Sequence, residues 1–381
     1  MTVSKTQSIG ILTAGGDCPG LNACIRGVAK AAMHYDIKVL GIQDGFRGLV
    51  ENRSVPLSRN AVSGLLTQGG TLLGTSRDKP HKMNMGGMVM DMTGVAVTNM
   101  HRMSIDCLVC LGGNGTQKNA LRLRQASDIP ILTLPKTIDN DIAGTDISFG
   151  HDSAMYVATQ AIDRLHTTAT SHHRIIVCEI MGHDAGWLTL GAGIAGGADV
   201  ILIPEIPYDL EAVARHLIER RRSGKRFSIV AVAEGARSIK EAEAATSAGA
   251  AADKKNKREK RKDQEPDQDM GTEEIHFVQE PVASRIARQL QYLTKVEARV
   301  TSLGHVQRGG EPTPFDRLLC TRLGTEAGTL LAAGVYDVMV GVQGKDCVAV
   351  PLEKVAGIKK TVPLDHPWLE TARLVETSLG V

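Results

Sequence analysis

The chain has 381 residues, 42% of them hydrophobic, with 44 Lys and Arg against 42 Asp and Glu for a formal charge of +2. That length favours two domains over one, and the balanced charge excludes a polycation built to coat nucleic acid. Aromatic residues, at 3%, are too few for a stacking platform for single strands.

The first apolar run, Ser8–Ala14, opens a series that continues with Val39–Gln43, Ile105–Leu111, Ile129–Leu134, Ile175–Met181, Val200–Pro204, Phe227–Ala233 and Arg299–Leu303. Continuous Val/Ile/Leu runs of this kind predict strands buried on both faces, hence parallel strands covered by helices. Helix-like stretches such as Leu21–Met33 and Ser153–Thr168 alternate with them, so the chain reads as βα units of an α/β fold. Ligands in such sheets sit at the carboxyl ends of the strands. Cys107 and Cys110 fall inside a run and read as packing, and the adjacent His172 and His173 lack any zinc-ligand spacing.

Two general expectations accompany the strands. Seven cysteines without paired spacing predict reduced thiols in a cytoplasmic protein, with no signal peptide and no membrane span; the longest uncharged stretch, Ala185 to Ala198, is too short to cross a bilayer. Residues 241–274 carry ten acids and seven bases and no large apolar residue except Met270, which predicts a flexible charged insertion.

Chemistry concentrates in the loops after the runs. Gly15-Gly16-Asp17-Cys18-Pro19-Gly20-Leu21-Asn22 leads into a helix, and Gly112-Gly113-Asn114-Gly115-Thr116 follows a second strand. Paired glycines let backbone amides approach phosphate at a helix N-terminus, and two such loops point to a ligand with several phosphates, a nucleotide. The third loop, Pro135-Lys136-Thr137-Ile138-Asp139-Asn140-Asp141, sets two carboxylates at i and i+2 beside a lysine, the residue types needed for a general base next to phosphate. Later strand ends supply Arg174, Met181-Gly182-His183, Glu234, Arg299 and Leu303-Gly304-His305-Val306-Gln307-Arg308-Gly309-Gly310. Arginines in that number fit a phosphorylated substrate.

These five motifs, in this order, resemble the 6-phosphofructokinase family. The resemblance implies two similar Rossmann-like three-layer domains with mainly parallel sheets. One, residues 1–149 with about 307–357, would bind nucleotide; the other, 150–306 with about 358–381, would bind sugar phosphate. It implies Mg2+-dependent transfer of a phosphoryl group from ATP to the 1-hydroxyl of fructose 6-phosphate, a glycolytic step. Asp139 would be the base, with Lys136, Thr137 and Asp141 beside it. Gly16, Arg77, Asp78, Gly113, Asn114, Gly115 and Thr116 would hold the nucleotide, with Asn114 as the Mg2+ ligand. Thr137, Ile138, Asp139, Met181, Gly182, His183, Glu234, His305, Val306, Gln307 and Arg308 would contact the sugar phosphate. Arg174 and Arg299 would reach its 6-phosphate from a neighbouring copy, which makes the expected state a homodimer or homotetramer.

Three positions depart from the family's usual pattern. Asn114 stands where an Asp is usual and His183 where an arginine is usual, departures that raise a non-catalytic regulatory role as a distant alternative. Lys136 is the residue of pyrophosphate-using relatives, whereas Gly115 matches the ATP users, since a side chain there would crowd a nucleotide's α-phosphate. The steric argument favours ATP; pyrophosphate-dependent, reversible transfer is the alternative. NAD and lipid kinases share the Gly-Gly-Asx-Gly-Thr loop without the Asp139 motif.

Overall fold

A computed structural model describes residues 4–247 and 280–381. In chain order these form β1 (Ser8–Thr13), α1 (Leu21–His34), β2 (Lys38–Ile42), α2 (Phe46–Val50), β3 (Ser54–Pro56), β4 (Met83–Met85), β5 (Met88–Met90), α3 (Thr93–Arg102), β6 (Cys107–Gly112), α4 (Asn114–Gln125), β7 (Ile131–Pro135) and α5 (His151–His172). There follow β8 (Ile175–Ile180), α6 (Trp187–Ala195), β9 (Val200–Leu202), α7 (Leu210–Arg222), β10 (Ser228–Ala233), α8 (239–247), α9 (Val282–Thr294), β11 (Ala298–Ser302), α10 (Pro314–Ala333), β12 (Val338–Gln343), β13 (Asp346–Pro351) and α11 (Pro367–Leu374). Among the described residues no helix is long and apolar enough to cross a membrane.

The described residues divide into two compact units, the first within Met1–Val157 and His305–Lys360, the second within Ala158–Gly304 and Thr361–Val381. The first unit is built on a seven-stranded sheet in the order β13-β12-β7-β6-β1-β2-β3. Its five inner strands run parallel, and the edges β13 and β3 run antiparallel to their neighbours. All six residues of β6 and all five of β7 are buried, as strands covered on both faces must be. The core on one face gathers Leu12, Phe46, Leu49, Met100, Leu108, Cys110, Leu123 and Ile131. Strands β3, β4 and β5 have three residues each, too short for an apolar run to register. The longer β12 and β13 are also absent from the expected strands.

The second unit is a four-stranded parallel sheet ordered β11-β8-β10-β9. Helices α7 and α9 close over it through Val213, Leu217, Ile286 and Leu290, which pack on Ile175, Val177, Val200, Val230 and Val232. The two sheets share their parallel α/β construction and differ in size.

One expectation is corrected. Residues 241–247, read as the start of a flexible insertion, complete α8. The cause is local: the Ser238 hydroxyl accepts from the Glu241 amide (3.3 Å) while the Glu241 carboxylate accepts from the Ser238 amide (2.8 Å) and hydroxyl (2.9 Å). This reciprocal cap satisfies two orphan donors at the helix start, and Arg285 pairs with the same carboxylate. The remainder of that segment, 248–274, lies outside the described residues.

Candidate active site

In the first unit, sheet register fixes which loops meet. Thr13 lies opposite Leu111 and Gly112 opposite Pro135. The Ala14 amide then donates to the Leu111 carbonyl (3.0 Å) and the Lys136 amide to the Gly112 carbonyl (3.1 Å), so three loops leave the carboxyl edge side by side. A fourth joins them: the Gly15 amide donates to the Ser76 carbonyl (2.9 Å), and the Thr75 hydroxyl to the Gly15 carbonyl (2.7 Å). This brings in the expected nucleotide residues Arg77 and Asp78. Arg77 is exposed. Asp78 is gripped by the Arg47 guanidinium through Nε (2.9 Å) and a terminal nitrogen (2.8 Å), which holds its carboxyl below the usual range. A carboxylate so engaged shapes the loop.

The second glycine loop starts α4, whose first amides face outward from the sheet edge. Thr116 Oγ1 donates to the Ala14 carbonyl (3.3 Å), tying this loop to the first. Gly113 is the extended cap residue, where a Cβ would lie 3.3 Å from the Lys136 carbonyl. Gly115 is different: it is exposed, and a Cβ there would meet no protein atom within 4 Å. Nothing in the protein's own packing asks for glycine at that position.

Lys136 is 4% exposed, and its Nζ donates to the Gly16 carbonyl. Burial pulls its pKa down, and the nearby Arg308 guanidinium pulls it further, against Asp139 and Asp17. Arg308 itself lies against Gly16, so two basic side chains converge on the first glycine loop. Thr137 Oγ1 accepts from the Asp139 amide (3.1 Å), turning the chain so that Ile138 is buried and Asp139 is half-exposed. The buried His151 donates from Nδ1 to the Ile138 carbonyl (2.7 Å), and burial pushes its pKa down to about 4. It is therefore a neutral donor with a fixed tautomer.

Asn114 donates from Nδ2 to the Asp141 carboxylate (2.8 Å) and carbonyl (3.1 Å). That carboxylate decides the amide's orientation, since an oxygen in its place would face another oxygen. Asn114 Oδ1 is consequently buried with no hydrogen-bond partner. A buried unpartnered carbonyl oxygen fits a hard divalent cation such as Mg2+, which takes few protein ligands and completes its shell with water and phosphate oxygens. Among the described residues no group of three or more His, Cys, Asp or Glu is placed to hold a metal, so any cation here needs those outside oxygens.

The second unit assembles its own polar set. Ile180 lies opposite Ala233, so Met181 and Glu234 leave adjacent strand ends. Gly182 has φ +145, and a Cβ would sit 2.7 Å from the Ala185 carbonyl; only glycine fits that turn. His183 follows with its side chain exposed, and its amide donates to Glu234 Oε1 (2.9 Å). Arg174 Nε donates to Glu297 Oε2 (2.6 Å), and Arg299 pairs with the other oxygen of that carboxylate. Arg174 foremost holds the Glu297 carboxyl below its usual range. The last motif forms a short 3-10 turn, Gly304–Arg308, which from His305 onward belongs to the first unit; in it His305 and Val306 are exposed and Gln307 is buried.

The groups that hold these loops, Arg47, Thr75 and His151, carry no sequence signal. Each acts on a partner far along the chain or on a backbone carbonyl.

Comparison with known proteins adds to this geometry. Residues 8–331 match the family model for phosphofructokinase. The chain is 51% identical over 376 residues to the ATP-dependent 6-phosphofructokinase of Propionibacterium freudenreichii, covering 98% of this chain and 100% of that one. It is 50% identical to the enzyme of the same name from Spirochaeta thermophila, covering 98% of each. Among solved structures, a Pichia pastoris phosphofructokinase in the T-state superposes with a TM-score of 0.75 at 29% identity, over 97% of this chain and 36% of that longer one. A pyrophosphate-dependent phosphofructokinase from Nitrosospira multiformis shares the fold, with a TM-score of 0.76 at 18% identity over 94% and 86% of the two chains.

Proposed function

The chain belongs to the phosphofructokinase family, and from that premise we propose that it transfers the terminal phosphoryl group of ATP to the 1-hydroxyl of fructose 6-phosphate. The observation that carries the mechanism is the convergence, at one sheet edge, of two glycine loops, the buried Lys136 and the Asp139 loop. The products are ADP and fructose 1,6-bisphosphate, and the reaction is cytoplasmic, in keeping with free thiols throughout the described residues.

In this reading the first unit binds the donor. Amides of the Gly15–Gly16 loop and of the Gly113–Thr116 helix start receive its phosphates, and Arg77 lies beside them. Asp139 takes the proton from the sugar hydroxyl as that oxygen bonds to phosphorus and the bond to the ADP oxygen breaks. Negative charge on the transferring group falls where Lys136 and Arg308 converge, and fixed cations there lower the barrier without reorganising. This supports a donor-side role for Arg308 beside the expected sugar-phosphate contact. Asn114 would offer its carbonyl oxygen to Mg2+, with Asp141 holding the amide in place; the chemistry such an ion would supply is withdrawal of charge from the donor's phosphates.

The second unit binds the acceptor, through Met181, Gly182, His183 and Glu234. Arg174 and Arg299, braced on Glu297, serve the 6-phosphate in a neighbouring copy of a homo-oligomer. Gly115 supports ATP as donor, because the space in front of it is free of protein.

Initial rates with fructose 6-phosphate and Mg2+, using ATP and pyrophosphate in parallel, test the reading. Turnover with ATP is expected. Turnover with pyrophosphate alone would give the donor choice to Lys136, and no turnover with either would reject the catalytic reading.

A further inference from the structure

Asn140 stands between the two carboxylates of the third loop and has φ +52. Asparagine tolerates the left-handed conformation better than most residues, and here its side chain is tied down as well. Its side chain is buried, and its Oδ1 accepts from the Ser148 amide (3.0 Å) and from Lys360 Nζ (3.2 Å). Lys360 reaches the loop from the far end of the first unit. The same Nζ donates to the carbonyls of Thr145 and Asp146, each at 2.8 Å. Its backbone amide donates to the Asp141 carbonyl (2.8 Å), and Lys359 bridges to Ile142.

An ammonium group carries three N–H donors and no acceptor, and this one donates to oxygens of Asn140, Thr145 and Asp146, all in a single loop. Burial draws its pKa down to about 8 while Asp146 and Asp141 raise it. His151, the other titratable group facing it, is neutral, so the charged form with all three donors prevails at pH 7.

We propose that Lys360 is a positioning residue for the transfer: by gathering the oxygens of Asn140, Thr145 and Asp146 it fixes the turn that aims the Asp139 carboxylate at the acceptor hydroxyl. It touches no substrate. The inference rests on Asp139 being the base, and its effect is confined to the geometry of the loop.

Two variants test it, Lys360→Met and Lys360→Arg, in the full chain. Lys360→Met removes every donor and keeps the apolar stem. Its kcat with ATP and fructose 6-phosphate should fall about tenfold or more, with both KM values within about threefold of wild type, since misplacing a reacting group acts in the transition state. Lys360→Arg, always charged and rich in donors, should recover most of that loss. Amide hydrogen exchange across residues 139–148, read without substrates, should quicken about tenfold in Lys360→Met and stay near wild type in Lys360→Arg. Wild-type kcat in Lys360→Met, or unchanged loop exchange, overturns the proposal, as does an arginine variant no better than the methionine one. If wild type itself turns over neither donor, the functional reading fails, and the exchange measurement still decides whether Lys360 holds the loop.

Discussion

Asp139 and Gly115 sit in neighbouring loops, and substitutions at the two probe different parts of the reaction. Asp139→Ala removes the group assigned to proton abstraction; kcat should fall about 10²–10⁴-fold with little change in KM for either substrate, and near-normal turnover would strip the residue of that role. Gly115→Asp is more discriminating because protein and ligand respond in opposite senses. Glycine costs a helix up to about 1 kcal/mol relative to other residues, and a carboxylate in the first turn is favoured by the helix dipole. With open space around the position, the variant should melt no lower than wild type. A carboxylate facing nucleotide phosphates should nevertheless raise KM for ATP about tenfold or more. A variant that is both less stable and normal in KM would show that glycine there answers to packing. His151 gives a pH-dependent effect. Its folded pKa of about 4 lies below the ordinary histidine value of 6.5, so the unfolded chain takes up the proton first, and stability is lost as pH falls through that window. The loss amounts to about 3 kcal/mol by pH 4. Asp316, raised to about 6 by burial, works with the opposite sign over the same range. His151→Asn keeps a donor for the Ile138 carbonyl and cannot titrate, so its denaturant-measured stability should drop less than wild type's between pH 7 and 4 by about that amount; equal slopes would mean His151 titrates normally.

Helices α1 and α10 show what the forty glycines do besides turn and bind. Gly27 faces the backbone of Cys320 and Gly324, and a Cβ on Gly324 would lie 2.6 Å from the Val28 nitrogen and 2.7 Å from the Gly27 carbonyl carbon. Gly328, one turn further, faces Ala31. The helices therefore touch backbone to backbone, and α1 begins at Leu21, directly after the first glycine loop. Gly324→Ala favours an isolated helix by about 1 kcal/mol, yet here it should lower stability by about 2 kcal/mol, because backbone has nowhere to move without parting the helices. KM for ATP should rise with it as the N-terminus of α1 shifts; a stabilised variant with unchanged KM would refute the close contact. That contact was not legible in the sequence, where glycine inside a helical stretch reads only as a weakness. Strands β1, β6, β7, β8 and β10 were legible because burial on both faces leaves an unbroken apolar run, whereas the three-residue β3, β4 and β5 leave none. The glycine loops and the Asp139 loop were legible for a related reason: phosphate and carboxylate chemistry demands particular residue types within a few positions. Their supports were not. Arg47 meets Asp78 across 31 residues and Lys360 meets Asn140 across 220, and pairings at such separations are set only by the folded chain.

At the scale of the assembly, the decisive group is the triad of Arg174, Glu297 and Arg299. Two guanidiniums on one surface carboxylate gain little stability from pairing in water, so their arrangement is better understood as holding two cations ready for an anion. Under the proposed reading that anion is the 6-phosphate bound in a neighbouring copy, which makes every active site the joint product of two chains. The arrangement predicts complementation. Asp139→Ala lacks the base in its own site, and Arg174→Ala lacks an arginine owed to its neighbour's site. Each homo-oligomer should be nearly inactive, the first through kcat and the second through a raised KM for fructose 6-phosphate. When the two variants are coexpressed and hybrids form, one class of site pairs an intact Asp139 with an intact Arg174, and activity should return with a wild-type KM for the sugar phosphate. Mixing the purified homo-oligomers without subunit exchange should restore nothing, which separates true sharing from residual activity of either parent. Hybrids that form and stay inactive would place Arg174 in the same chain's site as Asp139, and the reason for an oligomer would then lie elsewhere than in catalysis.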